Sequence, residues 1–393
     1  MLFTIGSDSG HRTALLSMDT GSSRDVVGLD NATGARYLGA GIIVFGRAGT
    51  LMAAAFDPDR GEMRGNPLPV LDGLLTSTLG LAVFTTSADG SLAYVPGDIA
   101  ENQLVLVDRK GKAFPLTKEP GLYQHPRFSP DGRRIAAEVR KGAETDIWAF
   151  DLTRGTTTRL TFDQGLAPTW SPDSSRLALI RVARDGSYRP FWVEADGSGT
   201  LAPLGQDLSF PSFIPWSISP DGELVAFQVM RGKDRANFVL ASPDGSDFFV
   251  LRDEFGESYW PQFSPDGRYV AYVSVESGRP EVYVRAVDGP GKWLVSRDGG
   301  GEPLWSGDGS ELFYRRGDEV LSVPTRLAPD FSAGTPVVLF EGRYDSGGTD
   351  QHWGVAPDGQ TFVMVTVGQV SATPIRLVLN WTEELRRLLP MDN

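Results

Sequence analysis

Three histidines occur in the 393 residues, and two of them, His125 and His352, hold the same place in a repeated pattern. Each lies four residues before a tetrapeptide of the Ser-Pro-Asp-Gly type, and so does Glu302. Two imidazoles and a carboxylate are a set that holds a divalent metal able to activate water. The same set also divides into a general acid and a general base. The register further carries Val83, Ala167, Pro215 and Trp260, with Tyr123, Gln124, Trp216, Tyr259, Gln351 and Trp353 close by. The candidate catalytic and metal-ligating residues are therefore His125, Glu302 and His352. The candidate ligand contacts are Tyr123, Gln124, Trp216, Tyr259, Trp260 and Trp353.

The elements that position these residues follow from the repeat itself. The tetrapeptide recurs seven times, as Ser87-Ala88-Asp89-Gly90, Ser129-Pro130-Asp131-Gly132, Ser171-Pro172-Asp173-Ser174, Ser219-Pro220-Asp221-Gly222, Ser264-Pro265-Asp266-Gly267, Ser306-Gly307-Asp308-Gly309 and Ala356-Pro357-Asp358-Gly359. Successive aspartates are 42 to 50 residues apart. Pro presets φ, Gly accepts positive φ, and Asp bonds nearby backbone N–H groups, so each copy reads as a hairpin turn. A short apolar piece precedes each turn, and a β-branched alternating strand follows, as in Arg134–Val139 and Arg268–Ser274. Third and fourth strands come next, as in Asp146–Leu152 and Thr156–Thr161.

Four-stranded antiparallel units of about 45 residues, repeated radially, predict an all-β propeller. Residues 37–73 read as a further blade without the Asp-Gly turn. Pairing residues 1–29 with 351–382 in one closing blade gives eight blades, with seven as the alternative. The whole chain, 1–393, reads as a single domain in which 383–393 form a short tail. Leading strands line the channel of a propeller and ligands gather at its mouths, which is where the register places His125, Glu302 and His352. Two readings stay open there. One is the catalytic or metal set, with a divalent ion in the channel. The other is a polar, water-filled mouth in which each side chain finds its own partner.

Composition narrows the function classes. Lys and Arg number 37 against 50 Asp and Glu, a formal net charge of −13. A net-acidic chain fits neither a phosphate backbone nor an anionic lipid surface, so no nucleic-acid partner is expected. Cysteine is absent, which excludes disulfides, thiolate zinc sites and a cysteine nucleophile. No apolar run reaches the length of a membrane span, and the first residues lack the pattern of a secretory signal. Neither compartment nor oligomeric state follows.

The Ser-Pro-Asp-Gly blades resemble the TolB-like propeller repeat over residues 80–360. A resemblance over nearly the whole chain is to the C-terminal propeller region of bacterial serine/threonine protein kinases of the sensor type. It is carried by Gly49-Thr50-Leu51-Met52 with Phe56-Asp57-Pro58, by Leu104–Arg109, and by Asp146-Ile147-Trp148 with Arg159–Asp163. Pro280–Arg285 and Pro374–Trp381 complete it. The resemblance implies a ligand- or protein-binding module, a detached sensor or scaffold region whose relatives often lie outside the cytoplasm. Kinase activity is not implied. There is no glycine-rich loop with a Val-Ala-Ile-Lys strand, no His-Arg-Asp and no Asp-Phe-Gly, and the Gly-x-Ser-x-Gly elbow of a hydrolase is absent too. The partner is expected to be a small molecule or a protein. The alternative activity is metal-dependent hydrolysis of esters, lactones or phosphotriesters at the channel.

Overall fold

The structure, a computed structural model, describes residues 2–7, 10–17, 20–26, 28–29, 32–39, 41–47, 49–75, 82–87, 90–96, 101–141, 144–162, 164–183, 187–205, 213–231, 235–244, 246, 248–249, 257–346, 351–367 and 375–389. Asp89, Asp163 and Pro374 lie outside them. The chain forms two compact units. The larger comprises Asn102–Ala183 and Ser187–Gly368, and the smaller comprises Met1–Glu101 and Gln369–Asn393. Sequence reading expected a single domain over 1–393, and the two units are described in turn.

The larger unit is built from six antiparallel sheets. Four run in simple chain order and begin with the leading strands Leu122–Phe128, Leu166–Trp170, Phe213–Ile218 and Ser258–Phe263. The fifth begins with Gly301–Trp305 and gains its outer strands, Ser332–Ala333 and Val337–Glu341, by pairing with Glu319–Arg326. In the sixth, Trp353–Val355 and Thr361–Val365 pair with Leu104–Asp108 and Ala113–Pro115. Each leading strand touches the next in order, and Trp353–Val355 touches Leu122–Phe128. Among the described residues of this unit, six sheets follow one another in this way.

The seam differs from the expected one. Thr361–Val365 joins Leu104–Asp108, with Leu104 opposite Val365 and Asp108 opposite Thr361, instead of joining residues 1–29. The physical reason is burial: Leu104, Val363 and Val365 are sealed in one cluster with Ile135 and Ala137 of the first sheet. Each such side chain contributes about 1.5–3 kcal/mol when fully buried.

The tetrapeptides form the turns expected of them. The Ser hydroxyl donates to the Asp carboxylate in Ser129–Asp131, Ser171–Asp173, Ser219–Asp221, Ser264–Asp266 and Ser306–Asp308, at 2.5–2.8 Å. The same carboxylate oxygen accepts a backbone N–H two residues on, as from Arg133 at 3.0 Å and Arg268 at 3.1 Å. Neighbouring turns also pack together. A Cβ on Gly267 would stand 3.3 Å from Pro220, and one on Gly132 would stand 3.6 Å from Pro357, across the seam. Gly at that position therefore serves positive φ and close approach together.

The smaller unit contains the expected blade without an Asp-Gly turn, as Thr33–Tyr37, Ile42–Arg47, Thr50–Asp57 and Glu62–Leu71. It also holds a sheet of Leu2–Ser7, Gly10–Leu16 and Ser23–Asp25. A third sheet pairs Arg376–Val378 with Leu92–Tyr94 and Phe84–Thr86, so this C-terminal strand also finds a partner other than residues 1–29. The tail forms the helix Trp381–Leu388.

Candidate functional site

The first five leading strands of the larger unit share a defect that places His125 and Glu302. Pairing with the second strand slips by a residue between Gln124 and Arg127, Leu166 and Thr169, Tyr259 and Gln262, and Gly301 and Leu304. His125, Ala167, Trp260 and Glu302 stand at these bulges with φ of 47°, 51°, 54° and 55°. Such values are uncommon for residues other than glycine, and a bulge re-aims the side chain it carries. Pro215, whose ring forbids positive φ, occupies the same register, and its slip falls between Pro215 and Ser217.

Ring order settles a question of distance. Glu302, His352 and His125 lie on the fifth, sixth and first sheets, which the seam makes consecutive. The imidazoles of His125 and His352 meet edge to face, with ring centres 5.4 Å apart. His125 Nδ1 lies 2.6 Å from Glu138 Oε1, and His352 Nδ1 lies 3.1 Å from Asp345 Oδ2. Glu138 Oε1 also accepts the N–H of Ala167 at 2.5 Å, which ties the first sheet to the second. His352 Nε2 is buried and has no hydrogen-bond partner among the described residues.

Glu302 is buried beside Arg315, whose Nη1 stands 3.7 Å from its Oε1. Burial pushes its carboxyl up to about 8, although Arg315, the backbone N–H of His352 and Arg127 oppose the rise. Glu302 is therefore largely neutral at pH 7. Arg315 itself donates to the carbonyls of Asp345 and Tyr344 at 2.6 and 3.0 Å. Arg127 donates to the carbonyls of Gln351 and Trp353 at 3.2 and 3.1 Å, which closes the seam.

The tryptophans are packing residues of the larger unit. Trp216, from the third sheet, reaches both residues of the first: its ring lies 6.2 Å from that of His125 and 5.5 Å from the Arg127 guanidinium. Trp216 thus packs against the first sheet at this level. Trp353 is fully buried, donates its indole N–H to the Glu302 carbonyl at 3.2 Å and stacks on Phe362. Trp216 and Trp260 are buried in one core cluster, against which Tyr259 packs. These residues brace neighbouring sheets. Tyr259 donates to Glu257, and burial, reinforced by that carboxylate, raises its hydroxyl to about 12. Tyr123 is half-buried and exchanges two hydrogen bonds with the side chain of Asn102. Gln124 is half-buried.

Among the described residues, no group of three or more His, Cys, Asp or Glu side chains is arranged to hold a metal ion. The residues that sequence reasoning missed are Glu138, Gln228, Arg315, Arg127 and Asp345. The first three carried a readable signal, since each stands nine residues after the Ser that opens its turn, as a polar group within an apolar strand. Gln228 repeats the role of Glu138, accepting the Trp260 N–H at 3.4 Å.

Comparison with known proteins places this architecture. No family model matches the chain. An uncharacterized protein of Agrobacterium fabrum is 30% identical over 171 residues, which are 40% of this chain and 56% of that protein. The Tol-Pal system protein TolB of Francisella tularensis is 25% identical over 236 residues, 57% of this chain and 51% of that one. The chain spans about half the length of the curated relatives it matches. A solved structure of a TolB candidate from Agrobacterium tumefaciens superposes with a TM-score of 0.55 at 18% identity. It covers 68% of this chain and 98% of its own, a likeness of fold.

Proposed function

We propose that this chain, a TolB-like β-propeller in its repeat and its fold, is a protein-binding module whose six-sheet ring presents its turn face to a partner. One observation carries the reading. At the level of His125 the ring interior holds Trp216 and inter-sheet hydrogen bonds, whereas the turn ends carry open clefts. One, of about 730 Å³, is lined by Asp131, Arg133, Arg134, Asp151, Thr153 and Arg154. A second, of about 380 Å³, lies between Arg268, Trp293 and Asp330. Arg133 and Arg268 occupy the same repeat position in the first and fourth sheets. Exposed arginines and a half-buried tryptophan are the residue types that anchor protein interfaces.

The finer reading follows the two resemblances. The Francisella relatives are named for a system, one component among others, and the kinase-type relatives imply a sensor or scaffold region. Under this reading the chain docks a protein outside the cytoplasm and transmits nothing chemically. No helix among the described residues is long and apolar enough to cross a membrane.

The hydrolytic reading is less well supported. It requires His125, Glu302 and His352 in one coordination sphere, and Glu302 is held largely neutral at pH 7 beside Arg315. Two experiments separate the readings. Site-specific cross-linking from position 133 or 268 should capture one protein partner in cells, and Arg133→Glu with Arg268→Glu should abolish capture while His125→Gln leaves it intact. Hydrolysis of an ester, lactone or phosphotriester that chelator and His352→Gln both abolish would overturn the binding reading.

A further inference from the structure

From the sheet of Phe84–Thr86, Leu92–Tyr94 and Arg376–Val378 in the smaller unit, we propose that two copies of this chain associate through that sheet's outer edge. Their Arg376–Val378 strands pair antiparallel about a two-fold axis. The inference is independent of the protein-binding reading, because it concerns the smaller unit and not the turn face of the larger.

An open strand position is the first argument. The blade Thr33–Leu71 of the same unit has four strands, whereas this sheet has three. Among the described residues, no strand pairs with the outer side of Arg376–Val378. Such an edge presents unpaired N–H and C=O groups that template a further strand. The second argument is the surface beside it. Val378 packs against the cluster of Leu92, Tyr94 and Trp381, so Leu377 stands on the opposite face. Leu377 is 63% exposed, and the flanking Ile375 and Leu379 are 71% and 66% exposed. The row Thr85, Ala93 and Leu377 crosses that face with no member buried. Three such side chains expose a few hundred Å² of apolar surface, the size of patch that marks an interaction site. Other outer strands are guarded. Thr156–Arg159 carries no apolar side chain, and Ala113–Pro115 and Leu201–Pro203 each end on proline.

The pattern of the edge identifies a second copy as the occupant. The aliphatic residues at 375, 377 and 379 are symmetric about Leu377. With the axis there, Leu377 meets its own counterpart, Ile375 meets the counterpart of Leu379, and Arg376 meets that of Val378. Apolar therefore faces apolar on the open side, and the one cation never stands opposite itself, an arrangement that would destabilise the pair. A residue on such an axis fits an antiparallel ladder at either kind of pair, and a two-fold contact closes at the dimer.

The test is sedimentation equilibrium of the full chain over roughly 1–100 μM, where an interface this small associates. A reversible dimer is expected, strengthened by added salt because each copy carries a net charge of −13. Leu377→Lys should lower its affinity at least tenfold. Leu294→Lys, on the outer strand Lys292–Leu294 and 56% exposed, should leave it unchanged. Circular dichroism establishes that each variant is folded, and should Leu377→Lys not fold, Ile375→Lys decides. Because the chain has no cysteine, Leu377→Cys supplies one thiol per copy. Opposed residues on the axis have Cα atoms about 4.5–5.5 Å apart, within disulfide reach. Oxidised glutathione should therefore link two copies of Leu377→Cys and not of Leu294→Cys. A monomer at every concentration, a dimer that the folded Lys variant leaves intact, or equal linking of the two Cys variants overturns the proposal.

Discussion

Replacing Glu302 by Gln should remove a specific pH dependence from the larger unit. The carboxyl is buried and raised from its ordinary 4.5 to about 8. The folded state therefore holds a proton that the unfolded chain releases at lower pH. Stability from this group is fully present below pH 4.5, declines as pH rises, and is gone above about 8. Each unit of displacement is worth ~1.4 kcal/mol, so the wild type should lose roughly 2.5 kcal/mol between pH 5 and 7 from this group alone. Gln keeps the shape and cannot titrate. It also removes the carboxyl beside Arg315, 3.7 Å away; the part of that contact that depends on ionisation is already contained in the raised value of about 8, and the remainder shifts the curve without tilting it. Urea unfolding at pH 5, 6, 7 and 8 measures the slopes, with amide exchange in the strand Glu311–Arg316 as the probe so that the smaller unit does not enter. Equal slopes for the wild type and Glu302→Gln would refute the assignment of a neutral buried carboxyl.

Three further outcomes follow from contacts in the larger unit. Glu138→Ala removes the acceptor of the Ala167 N–H and the carboxylate facing His125, and should cost about 3 kcal/mol; Glu138→Gln, which keeps an acceptor, should cost markedly less in the same denaturation series. Gly354→Val would place a Cβ 2.9 Å from Val363 and 3.0 Å from the Pro126 carbonyl, so overpacking at the seam should lower stability by about 1–3 kcal/mol, seen as a lowered Tm. The turn aspartates titrate at the other end of the pH scale: the Ser171 hydroxyl, with Ser175, depresses Asp173 to about 2. Its support is present above 3.8 and lost as pH falls through about 2, so Ser171→Ala should bring the acid unfolding midpoint to higher pH in a circular-dichroism titration.

The repeat was legible because its physics is local. Pro-Asp-Gly presets a turn, Ser and Asp close it through their own side chains, and β-branched alternation continues into the next strand, all within a dozen residues. The register that singled out His125, Glu302 and His352 was legible for the same reason, since each lies at one distance before its turn; at His125 and Glu302 that position is a bulge. Glu138, Gln228 and Arg315 were within reach of that alignment, as polar residues in strands otherwise apolar. Their partners were not, because each hydrogen bond crosses to another sheet.

The number of sheets in the ring and the identity of the closing strand were decided only by tertiary structure. Leu104–Asp108 and Leu2–Ser7 both read as short strands rich in apolar residues, and sequence pattern does not rank two such partners for Thr361–Val365. Burial against Ile135 and Ala137 does. That choice of seam also turned a histidine pair 227 positions apart into neighbours 5.4 Å from centre to centre. It brought Trp353 under Glu302, while the ring the seam closes sets Trp216 against His125. By itself the sequence determined which residues face the middle of a ring. Which of them meet, and whether the middle is open or filled, depended on long-range strand pairing and on the volume of side chains supplied from the opposite sheets.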